Sequence, residues 1–398
     1  MHDDTTELKD EEKVTGARRV ATLDSLSASQ IAAIRAIPPY GDTPPPVTIA
    51  TRPASIFSSP ERFELERTRV FRRLAVPVTL SAMLPEPGTA LAHDGYGVPI
   101  LLTRAKDGVV RAFLNACRHK GAKLVEDCET RKLGLLTCPY HAWTYNLHGQ
   151  CRGIARQDAF GDIDKSLYGL AALACRESGG LIWVSLNRAA APDFSALSPD
   201  LDADLVALRI PQAHVYGRRT FEVKANWKLV MEPFLESYHV PRLHASSVGP
   251  LFGDVTRIVD RLGPHQRKVA GKVQYHPDML DAPGENIHKI VTHAYQIFPN
   301  AILITSPYYI SFMVIMPVTA SQTTVEYTML LAEAPQTEKA RDVAARSFDL
   351  IQKVFGGEDF RAAEISQIGL DSGALDVVTY GGMESTIPMY YDELEARF

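Results

Sequence analysis

The chain has 398 residues, of which 45% are apolar and 22% charged, with a formal net charge of −5 and a pI near 6.2. That length accommodates two domains with substantial cores, and the acidic balance argues against a nucleic-acid backbone or an anionic membrane as partner. No stretch approaches the roughly 18 apolar residues of a membrane span, the first residues are charged where a leader would be apolar, and five cysteines are too few for a disulfide framework; a cytoplasmic protein is expected.

Residues 1–45 begin charged, pass through the short helical pattern LSASQIAAIRAI and end in PPYGDTPPPV, where proline favours extended backbone. They read as a tail or arm. Residues 46–75 read as a helical lead-in that packs on the larger domain, with Ser59 as N-cap, Pro60 at the first helical position, and Phe63, Val70, Phe71 and Leu74 on one face.

From 76 to 188 the pattern changes to short β runs broken by Gly and Asp. Asp107-Gly108 between two apolar runs is a hairpin signal, and LIWVSLN closes the region as a further strand. This predicts a small antiparallel β domain. It contains two clusters, Cys117-x-His119 and Cys138-x-x-His141, separated by eighteen residues. Two thiolates and two imidazoles suit the two irons of a Rieske [2Fe-2S] cluster. They also suit tetrahedral zinc, but paired zinc ligands ordinarily stand two or more residues apart, and Cys117 and His119 have one residue between them. Cys128, Cys151 and Cys175 are assigned no role, and the charged neighbours of Cys128 suggest a solvated loop with a free thiol.

Residues 189–398 read as a larger domain with a helix over about 226–240, strands in AYQIFPNAILITSPYYISFMVIMPV and TTVEYTMLL, and a long helix over about 337–355. Val325, Tyr327 and Met329 alternate as in a half-buried strand, and Ala344, Phe348, Ile351 and Phe355 form one helical face. Tyr308, Tyr309 and Phe312 are expected to pack in a strand core in preference to lining an aromatic pocket. The fold class is therefore α+β.

Within NWKLVMEPFLESYHVPRLH, His239 and His244 can act as neutral nitrogen ligands, and Glu236, three residues before His239, can reach that ligand's other nitrogen. Five residues at about 100° each would put the two histidines on different helix faces, so Pro241 is expected to interrupt the helix after His239.

AFLNACRHKGAKL and CPYHAWTYNLHG resemble the ligand loops of Rieske-type non-haem iron oxygenases. NWK, the Glu-x-x-His-x-x-x-x-His spacing and IFPN at 297–300 resemble their catalytic domain, so the likeness spans roughly 55–375. Lys120 and Ala142 stand where the family usually has Arg and Gly, Pro233 where Asn is frequent, and Glu236 where many members have Asp. The resemblance implies an alpha subunit whose Cys117, His119, Cys138 and His141 hold the [2Fe-2S] cluster. It also implies a helix-grip catalytic domain with a large antiparallel sheet. There His239, His244 and Asp359 would hold one mononuclear Fe(II), with Glu358 and Glu364 as alternatives to Asp359. Glu236 would bridge to His141 of a neighbouring copy in a head-to-tail homotrimer, with or without a beta subunit.

No Gly-rich dinucleotide fingerprint is present, so electrons are expected from a separate NAD(P)H-dependent reductase, directly or through a ferredoxin. The implied reaction consumes O2 and a small organic substrate, with aromatic ring dihydroxylation favoured. The alternative is monooxygenation, either removing N- or O-methyl groups or hydroxylating an amine, a quaternary ammonium or a biosynthetic substrate.

Overall fold

The computed structural model describes residues 20–39, 46–253, 257–282 and 284–398. Most of the expected tail, 1–19 and 40–45, lies outside the described residues. Its helical pattern forms α1 (Ala28–Arg35), started by a reciprocal cap between Ser27 and Gln30. α1 is docked: Gln30 and Ile34 are fully buried, and the Gln30 amide donates to Tyr295 Oη at 2.7 Å.

Ser59 accepts from Arg62 N and Pro60 opens α2 (Pro60–Glu66), as expected. The helix widens into one π turn, Arg67–Phe71, that buries Val70 and Phe71. Glu66 is fully buried at the end of α2. It accepts from Arg62 Nε at 2.9 Å, Trp227 Nε1 at 2.8 Å and Lys228 Nζ at 2.9 Å. Burial pushes the Lys228 amine below its usual value and Glu66 only partly opposes this.

Strands Thr89–His93, Ile100–Arg104 and Val110–Leu114 form an antiparallel meander, flanked by Arg131–Lys132 and Ala172–Leu173. Asp107 and Gly108 do sit in the turn of a hairpin, but five residues separate the strands, with Gly108 at a φ of 77°. Ala75–Leu80 pairs with Leu181–Ser185, bringing the two ends of this β region together. A third small sheet, Leu136–Thr137, Thr144–Tyr145 and Cys151–Gly153, frames the second Cys/His cluster.

The rest is built on a seven-stranded antiparallel sheet. Its order is His214–Val223, Gln322–Leu331, Ile310–Thr319, Ala301–Thr305, Val291–Ile297, His265–Gly271, Arg257–Leu262. Helices α3 (Pro199–Ala207), α4 (Trp227–Met231), α5 (Val240–Leu243), α6 (Glu338–Val354), α7 (Phe360–Asp371) and α8 (Thr386–Glu395) surround it. On one face the α6 residue Phe348 stands 5.9 Å from the Tyr327 ring. The approach is close enough that a Cβ on Gly217 would lie 2.9 Å from the Phe348 ring. On the other face Arg267 meets the buried Asp204 of α3 at 2.6 Å, and Tyr295 donates to the same carboxylate.

The small β region also joins that second face, where Asn300 donates to Tyr96 Oη at 2.8 Å and Arg218 to Cys128 O at 2.7 Å. With both faces covered, Gln322–Leu331 is buried continuously from Val325 to Leu330, and the half-buried alternation expected of Val325, Tyr327 and Met329 is not seen. No helix of the described residues is long and apolar enough to cross a membrane.

Replacing Glu66 by Ala would leave the Lys228 ammonium buried and unpaired, so Glu66→Ala should destabilise the protein by roughly 3–5 kcal/mol, with Glu66→Gln intermediate. Denaturant melts followed by far-UV dichroism check this, and a wild-type midpoint for the Ala variant refutes it.

Candidate metal centres

The two Cys/His clusters occupy two facing turns of similar construction. In the first, Cys117 N donates to Ala122 O at 2.8 Å and Gly121 N to Cys117 O at 2.9 Å. In the second, Cys138 N donates to Trp143 O at 2.8 Å and Ala142 N to Cys138 O at 3.0 Å. Each turn contains a left-handed residue, Gly121 at φ 79° and Ala142 at φ 55°. Glycine accepts that conformation freely and alanine does not.

Cys117 and Cys138 are buried free thiols, and the His119 and His141 rings stand 4.7 Å apart with both Nδ1 atoms buried and without a hydrogen-bond partner among the described residues. His141 is held below the usual imidazole range by desolvation and by its neighbours His119 and Lys120. Trp143 stacks on His119 at 5.1 Å. Tyr145 Oη lies 3.2 Å from Cys117 Sγ while accepting from Arg118 N at 3.0 Å. Asn115 closes the first loop at its base, donating to Val125 O and accepting from Leu124 N and Val125 N.

A single zinc ion with bonds of 2.0–2.3 Å needs its ligand atoms within about 4 Å of one another. Among the described residues, the only group of three or more candidate ligands with atoms mutually within 4.8 Å is His239, His244 and Asp359. The Cys/His quartet is therefore too open for one zinc ion, as a two-iron cluster requires.

The segment carrying His239 and His244 is not the continuous helix expected. α4 ends at Met231, a 3-10 turn with Pro233 in its first positions covers Glu232–Leu235, and Glu236 is extended at φ −132° and ψ −175°. Pro241 lies inside the first turn of α5, so it starts the short helix instead of interrupting a long one, and the histidines flank that helix. Glu236 accepts from Tyr238 N and His239 N and contacts His239 Nδ1. The segment is pinned by Arg257 Nη1 to Ser237 Oγ at 2.9 Å, and by Lys268 Nζ and Thr386 Oγ1 to the carbonyls of Phe234 and Leu235.

α6 runs through a π turn, Phe355–Asp359, directly into α7. Asp359 is 1% exposed, neither of its oxygens has a hydrogen-bond donor among the described residues, and Oδ1 lies 3.5 Å from His239 Nε2 and 3.2 Å from His244 Nε2. A buried, unsatisfied carboxylate facing two imidazole nitrogens fits a divalent cation between them.

Glu358 and Glu364, the alternatives to Asp359, point elsewhere: Glu358 to His244 Nδ1 at 2.5 Å and Glu364 to Lys224 N at 3.1 Å. Burial lowers the His244 pKa, but Asp359 and then Glu358 outweigh it, and the net shift is upward. Phe312 is buried in its strand, whereas Tyr308 and Tyr309 line a cavity of about 540 Å3 against α6 that neither metal set borders. Sequence reasoning missed Asn115, Tyr145 and the role of Glu358. Only the position of the first two beside the ligand loops pointed to them.

Residues 75–170 match the Rieske [2Fe-2S] domain and residues 211–398 the ring hydroxylating alpha subunit (catalytic domain). The chain is 31% identical over 233 residues to the glycine betaine monooxygenase oxygenase subunit of Chromohalobacter salexigens, covering 58% of this chain and only 51% of that protein. This chain therefore spans about half the length of that relative. It is 27% identical over 330 residues to the carnitine monooxygenase oxygenase subunit of Escherichia coli K12, covering 81% of this chain and 84% of that one. A crystal structure of a quaternary ammonium Rieske monooxygenase in complex with L-carnitine shares the fold, at a TM-score of 0.73 and 23% identity over 88% of this chain and 95% of the other. The chain belongs to the Rieske oxygenase alpha subunits. The cofactors of that family are a Rieske [2Fe-2S] cluster and a mononuclear iron.

Ala142 bears a left-handed backbone that costs a non-glycine residue about 1 kcal/mol. Ala142→Gly should raise stability by about that amount and leave the visible spectrum of the cluster unchanged. Thermal melting followed at the cluster absorption tests both, and a lowered midpoint refutes the strain.

Proposed function

We propose that this chain is the oxygenase component of a multicomponent Rieske system that monooxygenates a small quaternary ammonium or N-methyl amine compound. The observation carrying the oxygenase reading is Asp359, a buried carboxylate without a donor among the described residues, aimed at two imidazole nitrogens. The substrate class is supported by the printed activities of the glycine betaine and carnitine relatives, which put it ahead of the ring dihydroxylation favoured from sequence. Phe234 and Phe355, from the two segments that bear the candidate iron ligands, meet at 5.5 Å.

Cys117 and Cys138 would bind one iron of the cluster and His119 and His141 the other, while His239, His244 and Asp359 would hold the mononuclear iron. When bound, the cluster supplies single electrons and the mononuclear iron activates O2. The Arg118 amide donates to Tyr145 Oη, which in turn lies beside the sulfur of Cys117, and a hydrogen bond from Tyr145 to that sulfur would raise the reduction potential of a bound cluster. Trp143 and Phe160 cover His119. Glu236 fixes the tautomer of His239 through Nδ1, which leaves Nε2 free to ligate.

We assign residues 1–45 to a tail, 46–75 to a lead-in, 76–188 to the Rieske domain and 189–398 to the catalytic domain. The electron source is an NAD(P)H-dependent reductase, directly or through a ferredoxin, and the assembly is a head-to-tail homotrimer in which Glu236 reaches His141 of the next copy. His119 and His141 are half-exposed at the tip of their loops, which favours transfer to another molecule. The five free cysteines suit the reducing cytoplasm.

Cys117→Ser should abolish the Rieske spectrum and keep the mononuclear iron, whereas His239→Ala and Asp359→Ala should keep the spectrum and lose product. An intact cluster in Cys117→Ser would refute the assignment. With 18O2, carnitine or glycine betaine should yield an amine and an aldehyde carrying one labelled oxygen, trapped before exchange. A diol with two labelled atoms from an aromatic acid would return the reading to dihydroxylation.

Glu236→Gln should retain both metals and a reducible cluster yet transfer few electrons to the mononuclear site. Single-turnover assay of the pre-reduced variant measures this, and wild-type cluster oxidation with wild-type product would remove Glu236 from the path.

A further inference from the structure

His239 and His244 are each held from behind by a carboxylate, but the two carboxylates come from different places. Glu236 lies three residues from His239 and also caps the local backbone amides. Glu358 lies 114 residues from His244, with Oε2 2.5 Å from His244 Nδ1 while accepting from Ser247 Oγ at 2.8 Å. Glu358 immediately precedes Asp359, and both lie in the π turn Phe355–Asp359, so one imidazole is gripped at Nδ1 by Glu358 and faced at Nε2 by Asp359.

A carboxylate at Nδ1 accepts a hydrogen bond from Nδ1–H, which keeps the proton there, leaves the lone pair on Nε2, and fixes the ring plane. Glu358 and Asp359 share one rigid helical turn, so any motion of the turn moves the ligand and the partner of the neighbouring ligand together. The clamp also ties α6 and α7 to the loop after α5.

We infer that Glu358 is the positioning residue for His244, setting its tautomer and orientation and thereby the affinity of the three-ligand site for its divalent metal. This deepens the iron-site reading above and rests on it. Ser247 is the hydroxyl that holds Glu358 in place.

The test uses full-length protein with its Rieske cluster intact, stripped of mononuclear metal by a mild chelator and titrated anaerobically with Fe(II), then Co(II), against a competing chromophoric chelator. Glu358→Ala should weaken binding of both ions ~10–100-fold and shift the Co(II) d–d bands, while the cluster spectrum and the melting of the metal-free protein stay at wild type. Glu358→Gln can still accept from Nδ1–H and Ser247 and should recover most of the affinity. Ser247→Ala should lose only a few-fold by comparison.

Wild-type affinity and Co(II) bands in Glu358→Ala would overturn the inference. So would a total loss of binding in Glu358→Gln equal to that of Asp359→Asn, which would make Glu358 a ligand. A drop in metal-free melting that accounts for the lost affinity would reduce it to a structural tie and overturn it as well. His244→Ala and Asp359→Asn run alongside: if they bind as wild type, the iron-site reading fails, whereas their loss with Glu358→Ala unaffected removes the positioning role alone.

Discussion

The carboxylate of Asp359 imposes the strongest single demand on this fold. A charged group that is 1% exposed with no hydrogen-bond donor among the described residues is costly unless a cation stands beside it. Its placement depends on the α6–π–α7 helix being packed against the sheet through Phe348, Phe355 and Phe360. It also depends on the histidine segment being held rigidly opposite. Arg257, Lys268 and Thr386 bind that segment from the sheet and from α8, and Glu66 anchors its beginning by accepting from Trp227 and Lys228. Charged and polar groups that look scattered along the chain thus serve one geometry.

The two centres are built on opposite terms. The thiolate and imidazole loops are turns at the edge of a small sheet, with His119 and His141 half-exposed. That arrangement suits a group that must exchange electrons across a surface. The carboxylate–histidine set lies between helices and a sheet covered on both faces, with Asp359 and His244 buried, where electrostatic interactions are strong.

Candidate ligands for both sites could be named from the sequence because each is a single side chain of recognisable chemistry. Cys117, His119, Cys138, His141, His239, His244 and Asp359 were all named from spacing or family likeness, and the cap at Ser59 forms as its sequence suggests. What escaped depends on tertiary contact. Helical periodicity ran through Glu236, but Pro233 and the carboxylate's bonds to Tyr238 and His239 favour extended backbone there. Glu358 was ambiguous because its partner lies 114 residues away. The alternation of Val325, Tyr327 and Met329 concealed burial of the intervening residues, since polar Glu326 and Thr328 are buried too, Glu326 between Arg218 of the neighbouring strand and His93 of the small β region.

The π turn at Phe355–Asp359 has a consequence for how this chain can vary in length. A π turn is one residue longer than the α turn it replaces, so the helix carries a single-residue surplus just before its key carboxylate. Loss of one residue in the turn would let the helix close into uniform α geometry with the segments on either side nearly in place, so the change would fall on the turn that bears Glu358 and Asp359. The wide turn thus governs how the Glu358 and Asp359 carboxylates are presented to His244, and a change of length here bears on that presentation more than on the helices to either side.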